Sequence, residues 1–270
     1  RMILVTGGTG LVGAHLLYKL TKSGQSVVAL KRESSDLQKT KKIFSYYSDD
    51  FEHLFNLIQW READLLEYQE LLNSFKGVDH IYHCAASVSF QSSDKNTLIR
   101  TNIEGTTNVV NAALESNINK LVHVSSIGAL GRAATQSVVD ETSPWNDKKT
   151  SIYSKSKYLS ELEVWRGIAE GLNAVIINPS IILGPGDWES GSSKLFTTMH
   201  QGLKFYSTGS NGFVDVEDVA DIMIQLMESD ISGERYVVSS ENIFYKQLFA
   251  WMAKDLNMNA PKYKANKFLS

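Results

Sequence analysis

The stretch Met2-Ile3-Leu4-Val5-Thr6-Gly7-Gly8-Thr9-Gly10-Leu11-Val12-Gly13 decides the fold of this chain. Met2–Thr6 is apolar and β-branched, the composition of a short buried strand. Glycines follow at once, and apolar residues at Leu11, Leu16, Leu17 and Leu20 then recur at helical spacing toward Gly24. Strand, glycine turn and helix in that order are the context that gives a Gly-x-Gly-x-x-Gly match its meaning. Gly8, Gly10 and Gly13 satisfy it, and Gly7, Gly10 and Gly13 satisfy a Gly-x-x-Gly-x-x-Gly register as well. Gly10 lets backbone approach a pyrophosphate, Gly13 lets helix and sheet pack closely, and the helix N-terminus attracts the anion. This predicts a dinucleotide site lined by Gly7, Thr9, Gly10, Leu11, Val12 and Gly13.

Outward from this unit the pattern repeats. Strands are predicted at Ser26–Leu30, Leu57–Arg61, Asp79–His83, Leu121–Ser125 and Ala174–Asn178. Helices are predicted at Tyr68–Phe75, Asp94–Ser116 and Tyr153–Glu170. Strands alternating with helices at this spacing imply an α/β fold with a doubly wound parallel sheet. Beyond Gly184-Pro185-Gly186 the rhythm loosens, and Gly, Ser and Trp crowd Asp187–Ser193. Short helices near Leu195–Gln201, a helix capped by Asp215, a strand at Arg235–Ser239 and a helix at Tyr245–Asn257 complete the reading. The expected division is a nucleotide-binding domain over residues 1–180 and a small substrate-side lobe over 181–270. Residues 213–230 are expected to return to the first domain.

Bulk properties narrow the function. The 270 residues are 43% hydrophobic and 21% charged, with a net charge of −3, so no basic field points to nucleic acid. Cys84 is the single cysteine, which excludes an internal disulfide and any multi-cysteine metal site. The six histidines show no metal-ligand spacing, so no metal is expected. The first apolar run leads straight into glycines, unlike a signal peptide, and no stretch has the length of a membrane span. The expected location is the cytoplasm, away from any membrane.

The end of the second strand bears on the cofactor. A carboxylate there suits the ribose 2′-hydroxyl of NAD, whereas an arginine accommodates the 2′-phosphate of NADP. Lys31-Arg32 comes first and Glu33 only afterward, and Lys39 can reach the same group from the next helix. This favours NADP(H), with Glu33 leaving NAD open. Asp64-Leu65 follows the third strand as an adenine-edge contact or a turn, and Ala85-Ala86-Ser87 follows the fourth as a small-residue wall. Finally, Tyr153 and Lys157 stand four apart on one predicted helix face. A cation beneath a phenol favours phenolate and makes tyrosine a usable acid or base.

With these residues assembled, the chain resembles the extended short-chain dehydrogenase/reductases of NAD-dependent epimerase/dehydratase type. Within them it is most similar to the dihydroflavonol-reductase-like and 3β-hydroxysteroid-dehydrogenase-like branch. The resemblance rests on Thr6–Gly13, Asp64-Leu65, His83–Ala86, Asn102–Thr106, Val124–Ser126, Tyr153–Lys157, Asn178–Gly186 and Gly212–Ala220. It implies a Rossmann-type fold and hydride transfer between NADP(H) and a ketone, aldehyde or secondary alcohol. It also implies roles: Tyr153 as proton donor or acceptor, Ser126 polarising the reacting oxygen, Lys157 binding the nicotinamide ribose and lowering the Tyr153 pKa. Asn102 matches a relay asparagine, with a buried helix-bonding Asn as the equal alternative. Ser125 competes with Ser126, which stands at the family's usual five residues before Gly131.

Pro179, Ser180, Ile182 and Ser193 would lie near the nicotinamide or phosphates, although a strand-ending proline and a helix N-cap explain Pro179 and Ser193 as well. Two further readings remain: a nucleotide-sugar epimerase or dehydratase, and a non-catalytic dinucleotide-binding sensor. Departures from the family also count. Gly131 replaces a flavonoid-reading Asn, and Gly212 replaces an Arg of the sugar-nucleotide enzymes. The chain stops soon after Trp251, so C-terminal residues of the lobe are expected to be absent. Trp145, Trp188, Phe196 and Phe205 could line an apolar pocket suited to an aromatic or steroid-like ketone, with plain core as the favoured reading, and the two long helices suit a family-type homodimer.

Overall fold

The structure, a computed structural model, describes residues 1–86, 95–131, 138–147 and 150–265. Seven strands build the central sheet: β1 (Met2–Thr6), β2 (Ser26–Lys31), β3 (Gln59–Glu62), β4 (His80–His83), β5 (Lys120–Val124), β6 (Ala174–Pro179) and β10 (Glu234–Val238). Their spatial order is β10-β6-β5-β4-β1-β2-β3, and every pairing is parallel. Strand order reverses between β1 and β4, so the crevice beyond their C-terminal ends is the place where such sheets bind ligands.

Helices cover both faces, as parallel sheets require. On one face α1 (Leu11–Lys22) and α9 (Val216–Glu228) enclose Leu16, Leu17 and Leu20 with Val219, Met223 and Met227, over Val5, Val122, Val124, Val175 and Ile177. The helices α2 (Leu37–Ser45) and α3 (Phe51–Asn56) add Phe44 and Phe55 at the same side. On the other face α4 (Tyr68–Ser74), α6 (Gly105–Glu115) and α7 (Ile152–Ala169) pack Leu71, Val109, Val110 and Val164 over Leu4, Ile81, Leu121 and Ile176.

A third cluster lies apart from the sheet. It joins α8 (Lys194–His200), β9 (Ser210–Asp215) and α10 (Tyr245–Asp255) through Met199, Phe213, Leu248, Phe249 and Met252. Here β7 (Ile181–Leu183), β9 and β11 (Glu241–Phe244) form a three-stranded sheet, and β8 (Phe205–Tyr206) with β12 (Tyr263–Lys264) a two-stranded one. Asp215 caps α9 by accepting from the Glu217 amide at 2.7 Å. Among the described residues, no helix is long and apolar enough to cross a membrane.

The predicted helix Asp94–Ser116 is not continuous. Asp94 lies outside the described residues, and the remainder is α5 (Lys95–Ile99), a π-helical turn at Arg100–Glu104, and α6. A π turn inserts one extra residue into the helical phase, a device frequent at functional sites.

Candidate active site

The sequence folds α7 so that its first turn faces the crevice. Ser151 caps it, accepting from the Ser154 amide at 3.0 Å. The 3.6-residue period then stacks Tyr153, Lys157 and Glu161 on one face. Opposite, β5 ends at Val124, and Ser126 starts a single 3₁₀ turn (Ile127–Ala129) by accepting from the Gly128 amide at 3.0 Å. The two segments meet where Ser126 and Tyr153 share a side-chain hydrogen bond.

The expected lowering of the Tyr153 pKa by Lys157 is not what the site gives: burial pushes the phenol above its ordinary value, and the Ser126 hydrogen bond opposes this only in part. Lys157 is 2% exposed and donates to the Val124 carbonyl at 2.9 Å. Desolvation draws its ammonium down to about 8, while the charge of Glu161 works in the opposite direction. Asn102 sits in the π turn, fully buried, and donates to Ser156 Oγ at 2.9 Å. Ser156 in turn donates to the Tyr153 carbonyl at 2.8 Å, so the π turn braces the backbone of the tyrosine.

The glycine turn closes against β4. Gly7 has φ +70, a left-handed conformation that favours glycine, and a Cβ there would lie 2.6 Å from the Ala85 nitrogen. A Cβ on Gly13 would meet the Gly7 carbonyl at 2.1 Å. The Ala85 amide donates to Thr6 Oγ1 at 3.1 Å, and that hydroxyl lies 2.7 Å from His83 Nδ1. The other ring nitrogen, Nε2, lies 2.9 Å from Thr106 Oγ1, so both nitrogens of the ring meet a threonine hydroxyl. Burial keeps this imidazole neutral, down to about 3.

Gly10, the N-cap of α1, supplies no side-chain cap, and the first turn holds no acid. Bare amides on a dipole-positive end, beside a backbone wall at Ala85, suit the pyrophosphate of a dinucleotide. Thr9, Leu11 and Val12 are partly exposed around that turn.

The remaining predicted nucleotide residues divide. Arg32 and Glu33 are exposed just past β2, while Lys39 forms an ion pair with Asp187 at 2.7 Å. Asp64 makes a turn, accepting from the Leu66 amide at 2.9 Å, and Leu65 lies under Gly105 and accepts from Asn108 Nδ2 at 2.8 Å. Ala86 is exposed, and Ser87 lies outside the described residues.

The NAD dependent epimerase/dehydratase family matches residues 3–239. The chain belongs to this family. It is 32% identical to a putative dihydroflavonol 4-reductase of Synechocystis sp., over 96% of this chain and 73% of that protein. It is 28% identical to sterol demethylase protein B of Methylococcus capsulatus, over 92% of this chain and 73% of the relative. The crystal structure of gox2253 superposes with a TM-score of 0.85 at 30% identity, covering 97% of this chain and 77% of that one. A UDP-glucose 4-epimerase from Thermotoga maritima superposes with a TM-score of 0.83 at 21% identity, over 100% of this chain and 87% of its own, and shares the fold. The chain is thus an NAD(P)-dependent enzyme of oxidoreductase type.

Within this epimerase/dehydratase framework the last predicted residues run from the end of β6 through β7 to the start of α8. Pro179 ends β6 and is buried; the Ser180 amide donates to the Val238 carbonyl at 3.0 Å. Ile182 is partly buried in β7 beside the α1–α9 core. Ser193 stands at the N-cap of α8 without capping it; its hydroxyl instead donates to the Gly184 carbonyl at 3.0 Å. A Cβ on Gly186 would meet Ser193 Oγ at 2.8 Å and Leu11 Cδ1 at 2.9 Å, so this segment lies on the start of α1.

The four aromatics weighed as a pocket lining fall into three groups, with Trp188 and Phe196 together. Trp145 stacks on Tyr158 at 4.3 Å, Trp188 meets Phe196 and Tyr46, and Phe205 meets Tyr263. Each belongs to a different local element, and ring contacts among the described residues do not join the three groups. Sequence reading also passed over Glu161, Asn178 and Arg235, which meet behind the serine; a glutamate one turn beyond Lys157 was the available signal.

Proposed function

We propose that this enzyme is an NADP(H)-dependent reductase of a ketone or aldehyde, running in reverse as a secondary-alcohol dehydrogenase. The observation that supports it best is the hydrogen bond between Ser126 and Tyr153, which converges two hydroxyls on one point at the crevice. A carbonyl oxygen taking its place between them would accept from both. When bound, the nicotinamide supplies or accepts the hydride.

Tyr153 delivers the proton to the oxygen, and Ser126 donates to the same atom as negative charge builds there. Removing one such donor costs roughly 3 kcal/mol of transition-state stabilisation. Burial holds the Tyr153 proton on at neutral pH, which suits reduction; oxidation needs that proton removed and so gains as pH rises. Lys157, one turn below, offers its ammonium to a ribose hydroxyl. Asn102 steadies the tyrosine backbone through Ser156.

Exposed Arg32 at the end of β2 supports NADP(H), with Lys39 as a second cation once it leaves Asp187. The name of the Synechocystis relative supports carbonyl chemistry. Gly212 weighs against a nucleotide-sugar clamp, because a Cβ there would lie 2.7 Å from Ser239 Oγ and 2.9 Å from Ser180 Cβ. Gly131 weighs against flavonoid reading in the same way: a Cβ would lie 1.5 Å from the Pro144 carbonyl oxygen.

A panel of ketones and aldehydes, with NADPH and NADH consumption followed by absorbance, tests the reading. Tyr153→Phe should lower turnover by roughly a thousandfold while NADPH still binds. Undiminished turnover in that variant would overturn the assignment. NADPH binding with no turnover on any carbonyl would favour a sensor instead.

A further inference from the structure

Behind the reacting side chains lies a carboxylate that none of these steps uses. Glu161 is one helical turn past Lys157 and 2% exposed. Four donors converge on it. Ser125 Oγ at 2.6 Å and Asn178 Nδ2 at 2.8 Å meet Oε2, while Arg235 Nη1 at 2.9 Å and Trp165 Nε1 at 3.2 Å meet Oε1. Both oxygens accept, which is the pattern of an ionised carboxylate rather than an acid. The donors come from the segment after β5, from β6, from β10 and from α7 itself.

Two of these links lead to the reaction. Asn178 Nδ2 also donates to the Ser126 carbonyl at 3.0 Å, and Ser125 is the neighbour of Ser126 in the chain. Arg235 is fixed in turn on the Glu141 carbonyl at 2.9 and 2.6 Å. The third link is electrostatic. Lys157 interacts with Cys84 and His83 at the end of β4, with His123 from β5, and with Glu161 from α7. Burial keeps both imidazoles neutral and pushes the Cys84 thiol up to about 12, so Glu161 is the negative charge in that group.

We propose that Glu161 is a positioning residue of the reaction, keeping Lys157 charged and holding Ser126 against Tyr153 through Ser125 and Asn178. This rests on the reductase reading for its kinetic consequence but not for its electrostatic one. The test is Glu161→Gln in the full chain, with Lys157 titrated by NMR of labelled lysine and assigned against Lys157→Met. An opposite charge within about 4–6 Å is worth roughly one to three pH units, and residues four apart on a helix are neighbours on one face. The Lys157 titration should therefore fall by about one pH unit or more in Glu161→Gln. The alkaline limb of the kcat profile should fall with it.

A purely structural glutamate would lower Tm and leave both curves in place; a folded Glu161→Gln with an unmoved Lys157 titration overturns the proposal. Should that variant fail to fold, Arg235→Gln removes a competing positive charge and must move the Lys157 titration upward; no movement again overturns it. Absence of turnover in the unaltered enzyme would sink the reductase reading alone, since the Lys157 titration reads Glu161 without it.

Discussion

The two faces of the central sheet are built from the same strands and end differently. Under α1 and α9 the strands stay apolar to their tips, through Val124, Ile177 and Val238. Under α6 and α7 they begin with Leu121, Ile81 and Ile176 and finish with His123, His83 and Asn178. Strand alternation makes this possible, since neighbouring residues face opposite ways and each face is composed independently. At the strand tips, buried polar side chains thus gather on the face that carries Tyr153 and Lys157. Their burial has a cost: His123 has neither ring nitrogen bonded, and Asn178 Oδ1 is likewise unpartnered. An unsatisfied buried polar group costs about 1–3 kcal/mol.

The contrast can be attacked from either side. Lys157→Met should lower kcat roughly a thousandfold by removing the buried charge beside a general acid. It should also change the pH dependence of stability. Lys157 titrates at about 8 in the fold and at its ordinary 10.5 when unfolded, so the unfolded chain holds more protons between those values. Stability of the unaltered enzyme therefore rises with pH across that window, by about 3 kcal/mol at most. Melts from pH 7 to 10.5 should show that rise lost in Lys157→Met.

On the apolar face the expectation reverses. Ile177→Ala should lower the unfolding free energy by roughly 2–5 kcal/mol in denaturant melts. Its kcat per folded molecule should stay within about twofold, because the cavity opens away from the crevice.

The buried imidazoles set a third test. Both have folded values well below 6.5, so the unfolded chain takes up protons first as pH falls. Stability present at pH 7 is lost below about 6.5, by about 2 kcal/mol per histidine at pH 5. His123→Phe should remove one share of that acid sensitivity, measured by urea melts at pH 7 and pH 5. The smallest effect belongs to the exposed rim. Arg32→Gln should raise the KM for NADPH about fivefold and leave NADH unchanged, as a solvent-exposed charge contact of about 1 kcal/mol predicts.

How much of this was legible depended on range. The opening strand and the glycine turn were readable because strand pattern, turn and helix lie within a few residues of one another. Strands β2 to β6 differ from their predicted bounds by a residue or two, the usual play of element ends. The π turn was hidden because one extra residue hardly disturbs a helical apolar pattern over a long stretch. Strands β7, β8 and β12 span three residues or two, too few to show alternation. Helix α3 also escaped, having no fully buried residue to set a period.

At the site, Ser126, Tyr153 and Lys157 were named from motif and spacing, and the structure brings them together. The Glu161 cluster was not, since its partners Ser125, Asn178 and Arg235 are far apart in the chain. Lys39 was read as reaching the cofactor phosphate; the Asp187 that pairs with it comes from a loop 148 residues away, beyond the range of a local pattern.

The placing of β10 has a consequence for how the chain is made. One edge of β6 is covered by β5, but the other has no partner until Glu234–Val238 arrives, after β7, α8, β8, β9 and α9 have been synthesised. At roughly 5–20 residues per second the nascent chain carries an open, apolar strand edge for seconds outside the ribosome. Such an edge is a template for pairing with a neighbouring chain. The demand for chaperones during synthesis is therefore written into the strand order, independently of how stable the finished enzyme becomes.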